Sequence, residues 1–427
     1  MIKRYIEEPL EILANRWPNR STESVELSRY TSEILEDIKS RGIEAVLEYT
    51  EKFDGVSLEP EDLQVTEEEI KRAYERTTPE QVEAIKESQK RLEKVEAERL
   101  ERQNFKVNLK GVEIRFITRP LGVVGCYVPG GKAVYPSTLI MNVTPARVAG
   151  VDEIIVCTPP GKDGKVSPII LVAADICKVD KIYKLGGIQA IASMAYGLSP
   201  IKKVDTIVGP GNRYVTEAKR QVSDTVAIDK PAGPSEILII ADETADPVLV
   251  TKDLISQAEH GQGGLSGLVT PSERLADQVE KEIKKNLEGI PSKSIVESVL
   301  DKGGFIYTVD NLDKAIKFAN EFAPEHLEIL IEKPEKILDK IKNAGLVLIG
   351  PYTPVSSTDY CMGVNHVLPT EGYAKIGSGL SVLDFVKPVS VIRAEEQGLR
   401  EVEEHIRALA EAEGLRNHYL ALEARLR

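Results

Sequence analysis

Between Glu153 and Asp242 the chain alternates short apolar runs, "EIIVC", "KIYKL", "VDTIV" and "SEILIIAD", with helix-patterned stretches such as "SPIILVAADIC" and "NRYVTEAKRQV". No other feature constrains the fold as strongly. Strands separated by helices are joined by crossovers, which set them parallel, and the helices then cover both faces of the sheet. The expectation is an α/β, doubly wound architecture. The alternation resumes at "FIYTVDNLDKAIKFANEF" and continues through "KILDKIKNAGLVLIG", so a second α/β unit is expected, and 427 residues are enough to bury two cores.

The flanking segments read differently. Residues 21 to about 105 carry charged amphipathic helical patterns, and "TPEQ" supplies an N-cap Thr78, Pro79 at the first helical position and a capping-box Gln81. From Val112, "VEIRFITRPLGVVGCYVPGG" alternates like a strand pair and ends in a Pro-Gly-Gly turn. Beyond about Arg393 the chain becomes a polar helical tail whose apolar spacing suits packing against something outside itself.

Charge narrows the partners. With 55 Lys and Arg against 68 Asp and Glu, the net charge of -13 repels phosphate backbones and anionic lipid, so neither nucleic acid nor membrane is an expected partner. Cys126, Cys157, Cys177 and Cys361 are too few and too dispersed for a disulfide framework or a CxxC pair, which fits a reducing cytoplasm. The first residues, "MIKRYIEEPLEILANRW", lack the apolar core of a signal peptide, and no stretch approaches the roughly 18 apolar residues of a spanning helix.

Five histidines are available for chemistry. "LISQAEHG" reads as a helix up to a stop at Gly261, placing Gln257 and His260 three residues apart on one face, where both could reach one metal; alternatively His260 meets only the helix's last carbonyls. Asp359 and His366 lie in "STDYCMGVNHVLPT", a Gly- and Pro-bounded loop, and His418 sits near the end in "EGLRNHYL". His405, among glutamates on a helical pattern, reads as structural. A set of Gln257, His260, Asp359 and His418 contains only nitrogen and oxygen donors, which suits zinc, with manganese or cobalt as substitutes.

Two glycine turns between strand and helix patterns, Gly186-Gly187 and "GPGNRY" at 209–214, could hold an anion on free backbone N–H groups, or serve simply as tight turns. The second has tyrosine where the dinucleotide fingerprint has its third glycine. Cys126 follows a glycine-rich run where a nucleophile could sit, although a small buried residue on a strand is the plainer reading.

Taken in order, "RPLGVVGCYVPGG", "GPGNRYVTEAKRQV", "PAGPSEILIIAD", "SQAEHG", "FAPEHL" and "DYCMGVNHVLPT" resemble histidinol dehydrogenase over nearly the whole chain. The resemblance implies oxidation of L-histidinol through the aldehyde to L-histidine with NAD, at a zinc site shared between the subunits of a homodimer. It assigns zinc to Gln257, His260, Asp359 and His418. It assigns NAD contacts to Tyr127, Gln189 and Asn212, and further substrate contacts to Ser235, His366 and Glu413. Its acid–base pair falls on Glu325 and His326. Two incomplete Rossmann-like domains are implied, 24–126 with 237–379 for metal and catalysis and 127–236 for NAD, flanked by an arm at 1–23 and a dimerisation tail at 380–427. Departures from the family pattern occur after His260, in "AEHGQGG", and at Thr358, where the family usually has glycine.

The implied pair suits the implied reaction. An alcohol that loses hydride must also lose its hydroxyl proton, which a histidine titrating near neutrality can accept. The aldehyde must add water before a second hydride can leave, and a neighbouring carboxylate can orient that water. A covalent route through Cys126, as in aldehyde dehydrogenases, and a non-catalytic metal or nucleotide module are the alternatives.

Overall fold

The structure is a computed structural model that describes residues 2–6, 20–130, 134–230, 233–261 and 263–427. Strand β1 (Lys3–Ile6) precedes helices α1 (Arg20–Arg41), α2 (Ile43–Asp54), α3 (Glu67–Glu75) and α4 (Pro79–Glu101), then strands β2 (Phe105–Leu109) and β3 (Val112–Pro120). The expected start of α4 is present: the Gln81 N–H donates to the Thr78 hydroxyl at 3.3 Å, and the Thr78 N–H donates to the Gln81 side-chain oxygen at 3.0 Å. Most of the expected arm at 1–23 lies outside the described residues.

The first alternation is β4 (Val123–Tyr127), α5 (Pro136–Ala149), β5 (Glu153–Thr158), α6 (Pro168–Ile176), β6 (Lys181–Lys184), α7 (Gly187–Tyr196), β7 (Thr206–Val208), α8 (Arg213–Val222) and β8 (Ala227–Ile228). Its strands form a parallel sheet in the order β6-β5-β4-β7-β8. The second is β9 (Glu236–Ala241), α9 (Pro247–Ala258), β10 (Leu265–Thr270), α10 (Glu273–Leu287), α11 (Lys293–Gly303), β11 (Gly304–Thr308), α12 (Leu312–Phe322), β12 (His326–Leu330), β13 (Leu346–Ile349) and the short α13 (Val355–Tyr360). With β1 these strands make a six-stranded parallel sheet ordered β1-β11-β10-β9-β12-β13. The chain closes with β14 (Val386–Ala394), α14 (Glu396–Ala412) and α15 (Arg416–Glu423).

Sheets covered on both faces bury their strands along the whole length, and β9 and β12 are buried at every position. One departure from expectation follows from packing. Residues 112–127 do not form a strand pair: β3 joins β2 and β14 in an antiparallel sheet, while β4, past the Pro120–Gly122 corner, opens a parallel one. The N-terminal helices also cover the five-stranded sheet. Ile34 and Ile38 of α1 share a core with Ile155 and Tyr183, and Ile85 and Leu92 of α4 share another with Val124 and Val156.

The three-stranded sheet and the tail leave large apolar side chains in solvent, among them Phe105, Leu109, Ile392 and Leu409. Among the described residues no helix is long and apolar enough to cross a membrane.

Candidate functional site

Glu325 and His326 owe their placement to an abrupt chain reversal. Ala323 ends α12 in the left-handed region at φ 49°, which a side chain adopts only at a cost, and Pro324 then leads directly into β12. His326 becomes the first residue of β12, opposite Ile237 of β9. Glu325 therefore meets Glu236, the residue that heads β9. Each binds the other's backbone: the Glu236 N–H donates to Glu325 Oε2 at 2.8 Å, and the Glu325 N–H donates to Glu236 Oε2 at 3.3 Å. The second Glu236 oxygen accepts the Glu371 N–H at 3.0 Å.

This frame fixes the imidazole. His326 Nδ1 lies 3.1 Å from the Glu236 carbonyl oxygen and 3.5 Å from Glu325 Oε2. A carbonyl can only accept, so Nδ1 carries the hydrogen and Nε2 keeps its lone pair. Nε2 is buried with no hydrogen-bond partner. Burial disfavours a charged ring, but the Glu325 carboxylate, the more distant Asp359 and the Glu236 carbonyl together outweigh it, holding His326 above its ordinary value.

Asp359, on α13, and His366 complete the cluster. His366 Nδ1 donates to the Asp359 carbonyl oxygen at 2.8 Å, and its Nε2 is 3.4 Å from the Thr138 hydroxyl of α5. Burial pulls His366 below the ordinary imidazole value, although Asp359 opposes the shift. Glu325, His326, Asp359 and His366 are thus within electrostatic reach of one another.

The expected metal donors fare unequally. Gln257 lies in the last turn of α9, 2% exposed, with no partner for its Nε2. A buried amide with an unsatisfied end suits a ligand, and a half-turn of the amide presents oxygen instead of nitrogen. The helix stops at Ala258, so His260 does not share a helix face with Gln257. It stands exposed in the following turn, its N–H on the Gln257 carbonyl at 3.2 Å. Helix α9 packs against α13, which carries Asp359. His418 on α15 and Glu413 at the end of α14 are exposed, and among the described residues no three His, Cys, Asp or Glu side chains converge on a metal position. The four expected donors do not come together within one chain. Ser235 is half-buried beside Glu236.

At the C-terminal ends of β4 to β7 lies a second set of polar groups. The Tyr127 hydroxyl accepts the Gly187 N–H at 3.2 Å. Gln189 is fully buried, with Nε2 donating to Asp54 Oδ2 at 3.2 Å and Oε1 unpartnered. Asn212 caps α8, its Oδ1 accepting from the Tyr214 and Val215 N–H groups at 3.0 and 3.1 Å. The turn before it admits only glycine, because a Cβ on Gly209, at φ 112°, would lie 2.1 Å from the Tyr127 carbonyl oxygen. Sequence reading missed what holds this turn. A buried Lys219–Asp229 ion pair grips it, with Lys219 Nζ donating to the Gly209 carbonyl at 2.9 Å and Asp229 Oδ2 accepting the Gly209 N–H at 2.7 Å. Lys219→Met leaves that carboxylate buried without its counterion and is expected to cost about 3–5 kcal/mol in denaturant unfolding.

Glu236 was also missed; an acid heading an otherwise apolar strand is the signal that marks it. Two residues along β12 from His326, Glu328 shares a carboxyl–carboxyl hydrogen bond with Asp253 of α9. Burial pushes Glu328 up to about 9 and Asp253 up to about 6, so the pair retains a proton at neutral pH. A raised folded pKa contributes stability that is complete at acid pH and is lost as pH rises toward that value. The melting temperature of wild type is expected to fall relative to Glu328→Gln between about pH 5 and 9; parallel curves would refute the shared proton.

Cys126 lies in the core of β4 with no exposed surface, and burial pushes its thiol far above the ordinary value. A thiolate nucleophile is disfavoured there. Cys126→Ser is expected to retain turnover, whereas loss of turnover with an intact fold would restore the covalent route.

Known proteins resemble this chain over nearly its whole length. The family model described as histidinol dehydrogenase matches residues 18–426. Histidinol dehydrogenase from Methanosarcina barkeri is 44% identical over 426 residues, covering 100% of this chain and 98% of that one. The Methanocaldococcus jannaschii protein of the same name is 43% identical over 427 residues, again covering 100% and 98%. The crystal structure of histidinol dehydrogenase from Elizabethkingia anophelis superposes with a TM-score of 0.94 at 38% identity, covering 100% of this chain and 98% of that one.

Proposed function

Because the chain belongs to the histidinol dehydrogenase family, whose activity is oxidation of histidinol in histidine biosynthesis, we propose that it carries L-histidinol through L-histidinaldehyde to L-histidine, with NAD as acceptor and zinc as the resident metal. The observation that carries this reading is the buried Glu325–His326 pair with Nε2 of the imidazole left free.

His326 Nε2 takes the hydroxyl proton of the alcohol. The imidazolium so formed is stabilised where it stands, by the Glu236 carbonyl on Nδ1 and the Glu325 carboxylate beside it. Glu325 orients the water that hydrates the aldehyde, and His326 then accepts a proton from the resulting diol. Both side chains are buried, which suits a site that excludes bulk water.

Gln257, His260, Asp359 and, from a second copy, His418 would hold the zinc, which supplies an anchor for the substrate's nitrogens. The unsatisfied Gln257 amide and the all nitrogen and oxygen donor set fit that role. Tyr127, Gln189 and Asn212 would hold the NAD, which accepts hydride. The unpartnered Gln189 oxygen fits it. Ser235, His366 and Glu413 are assigned to the substrate.

The proposed working unit is a homodimer. Exposed Phe105, Leu109, Ile392 and Leu409 offer the tail and its sheet an apolar face for the second copy. In this division 127–236 serves the dinucleotide, 24–126 with 237–379 the metal and catalysis, and 1–23 and 380–427 the partner. Four free cysteines are in keeping with the cytoplasm as its compartment. The test is stoichiometry: two NADH formed per histidinol consumed are expected, and one or none overturns the four-electron reading.

A further inference from the structure

The order β6-β5-β4-β7-β8 places β4 as the first strand of a mononucleotide-binding unit and β5 as the second. Units of this kind keep an acidic side chain near the end of the second strand, where it accepts hydrogen bonds from the adenosine ribose hydroxyls. Here β5 runs into Thr158-Pro159-Pro160-Gly161, which offers no carboxylate. Asp163, the next acid, is spent on its own turn, accepting the Lys165 N–H at 3.2 Å.

A carboxylate reaches this place from outside the sheet. Asp54 is the last residue of α2. A Cβ built on Gly186 would lie 2.6 Å from Pro159 Cβ and 3.3 Å from Asp54 Oδ1, so that oxygen sits between the ends of β5 and β6. The other oxygen accepts from Gln189 Nε2, and the charge is felt by the Tyr127 hydroxyl at the end of β4. Gly55, which follows, has open space where its side chain would be. The carboxylate therefore borders the unpartnered Gln189 oxygen and the close approach of Gly186 to Pro159.

We propose that Asp54 is the specificity-determining carboxylate of the dinucleotide site, accepting hydrogen bonds from the adenosine ribose hydroxyls and excluding a 2′-phosphate. This rests on the NAD reading above. Burial pushes Asp54 up to about 6, against the Gln189 hydrogen bond, which leaves it charged at neutral pH and repulsive toward a phosphate. The N-terminal helices then do more than cover the sheet, since α2 carries the group that distinguishes the two cofactors.

Fluorescence titration of the zinc-loaded, full-length protein with NADH and with NADPH tests the assignment. Wild type is expected to prefer NADH. Asp54→Asn keeps an acceptor for Gln189 but loses the charge, so NADH affinity should fall about tenfold, the scale of a lost charged hydrogen bond. NADPH affinity should hold or rise, collapsing the preference. If both affinities fall by one factor, or the preference survives in Asp54→Asn, Asp54 only orients Gln189 and the proposal is overturned. If wild type binds neither dinucleotide, the NAD reading fails and takes the proposal with it. Thermal unfolding verifies the fold, and Asp54→Ser, for which the same collapse is expected, replaces Asp54→Asn should that variant not fold.

Discussion

His326→Asn is expected to lower kcat for histidinol by about 10²–10⁴-fold, the range for loss of a positioned general base, with little change in KM. Asparagine can preserve the Nδ1 hydrogen bond to the Glu236 carbonyl but has no basic atom at the Nε2 position, so the defect should fall on proton removal. The pH profile offers a second signature. Proton acceptance requires neutral His326, so the rate should rise with pH through an apparent pKa above the ordinary imidazole value of about 6.5. Removing the Glu325 charge removes the strongest factor raising that pKa, so Glu325→Gln should move the limb toward lower pH. It should also slow oxidation of histidinaldehyde more than His326→Asn does, because hydration is the step that needs the carboxylate. Steady-state rates with alcohol and aldehyde separate the two roles; equal, negligible effects of both substitutions would remove them.

Metal loss should be as damaging. Chelation is expected to abolish turnover and zinc to restore it, and Asp359→Ala should mimic chelation because the Asp359 charge is felt by both His326 and His366 and its helix packs against α9. His418→Ala should have the same effect from a position far along the tail. The two defects lie in different copies if the tail crosses, so mixed dimers of an Asp359→Ala chain and a His418→Ala chain contain one site with all its donors. Such heterodimers should recover up to about half of wild-type activity, since only one of the two sites is restored. Verified heterodimers without any recovery would place the tail on its own subunit.

Much of the fold was legible in the chain. The alternation of apolar runs and helical patterns yields both parallel sheets because crossover geometry leaves few choices, and the Thr78–Gln81 cap is local chemistry that needs no tertiary partner. Glu325 and His326 could be singled out because a paired acid and base after proline is unusual in a chain with five histidines. What stayed hidden depends on contacts between distant segments. Nothing in "VEIRFITRPLGVVGCYVPGG" says that its second strand leaves the first for another sheet, since β14, which pairs with β3, begins more than two hundred residues later. Periodicity could place helices α1 to α4 but not name the sheet they cover. Glu236, Lys219 and Asp229 resemble ordinary strand and helix residues until folding buries them around a turn or a carboxylate. The pattern carries a helix through His260 to Gly261, but the helix ends at Ala258.

The central claim is that one divalent cation is clasped by residues of two subunits beside His326. Anomalous diffraction at the zinc edge, from crystals of the dimer grown with zinc and histidinol, addresses it directly. One peak per active site is expected, within about 2.0–2.2 Å of donor atoms from Gln257, His260 and Asp359 of one subunit and His418 of the other. A peak elsewhere, or a peak whose donors all come from a single subunit, would contradict it.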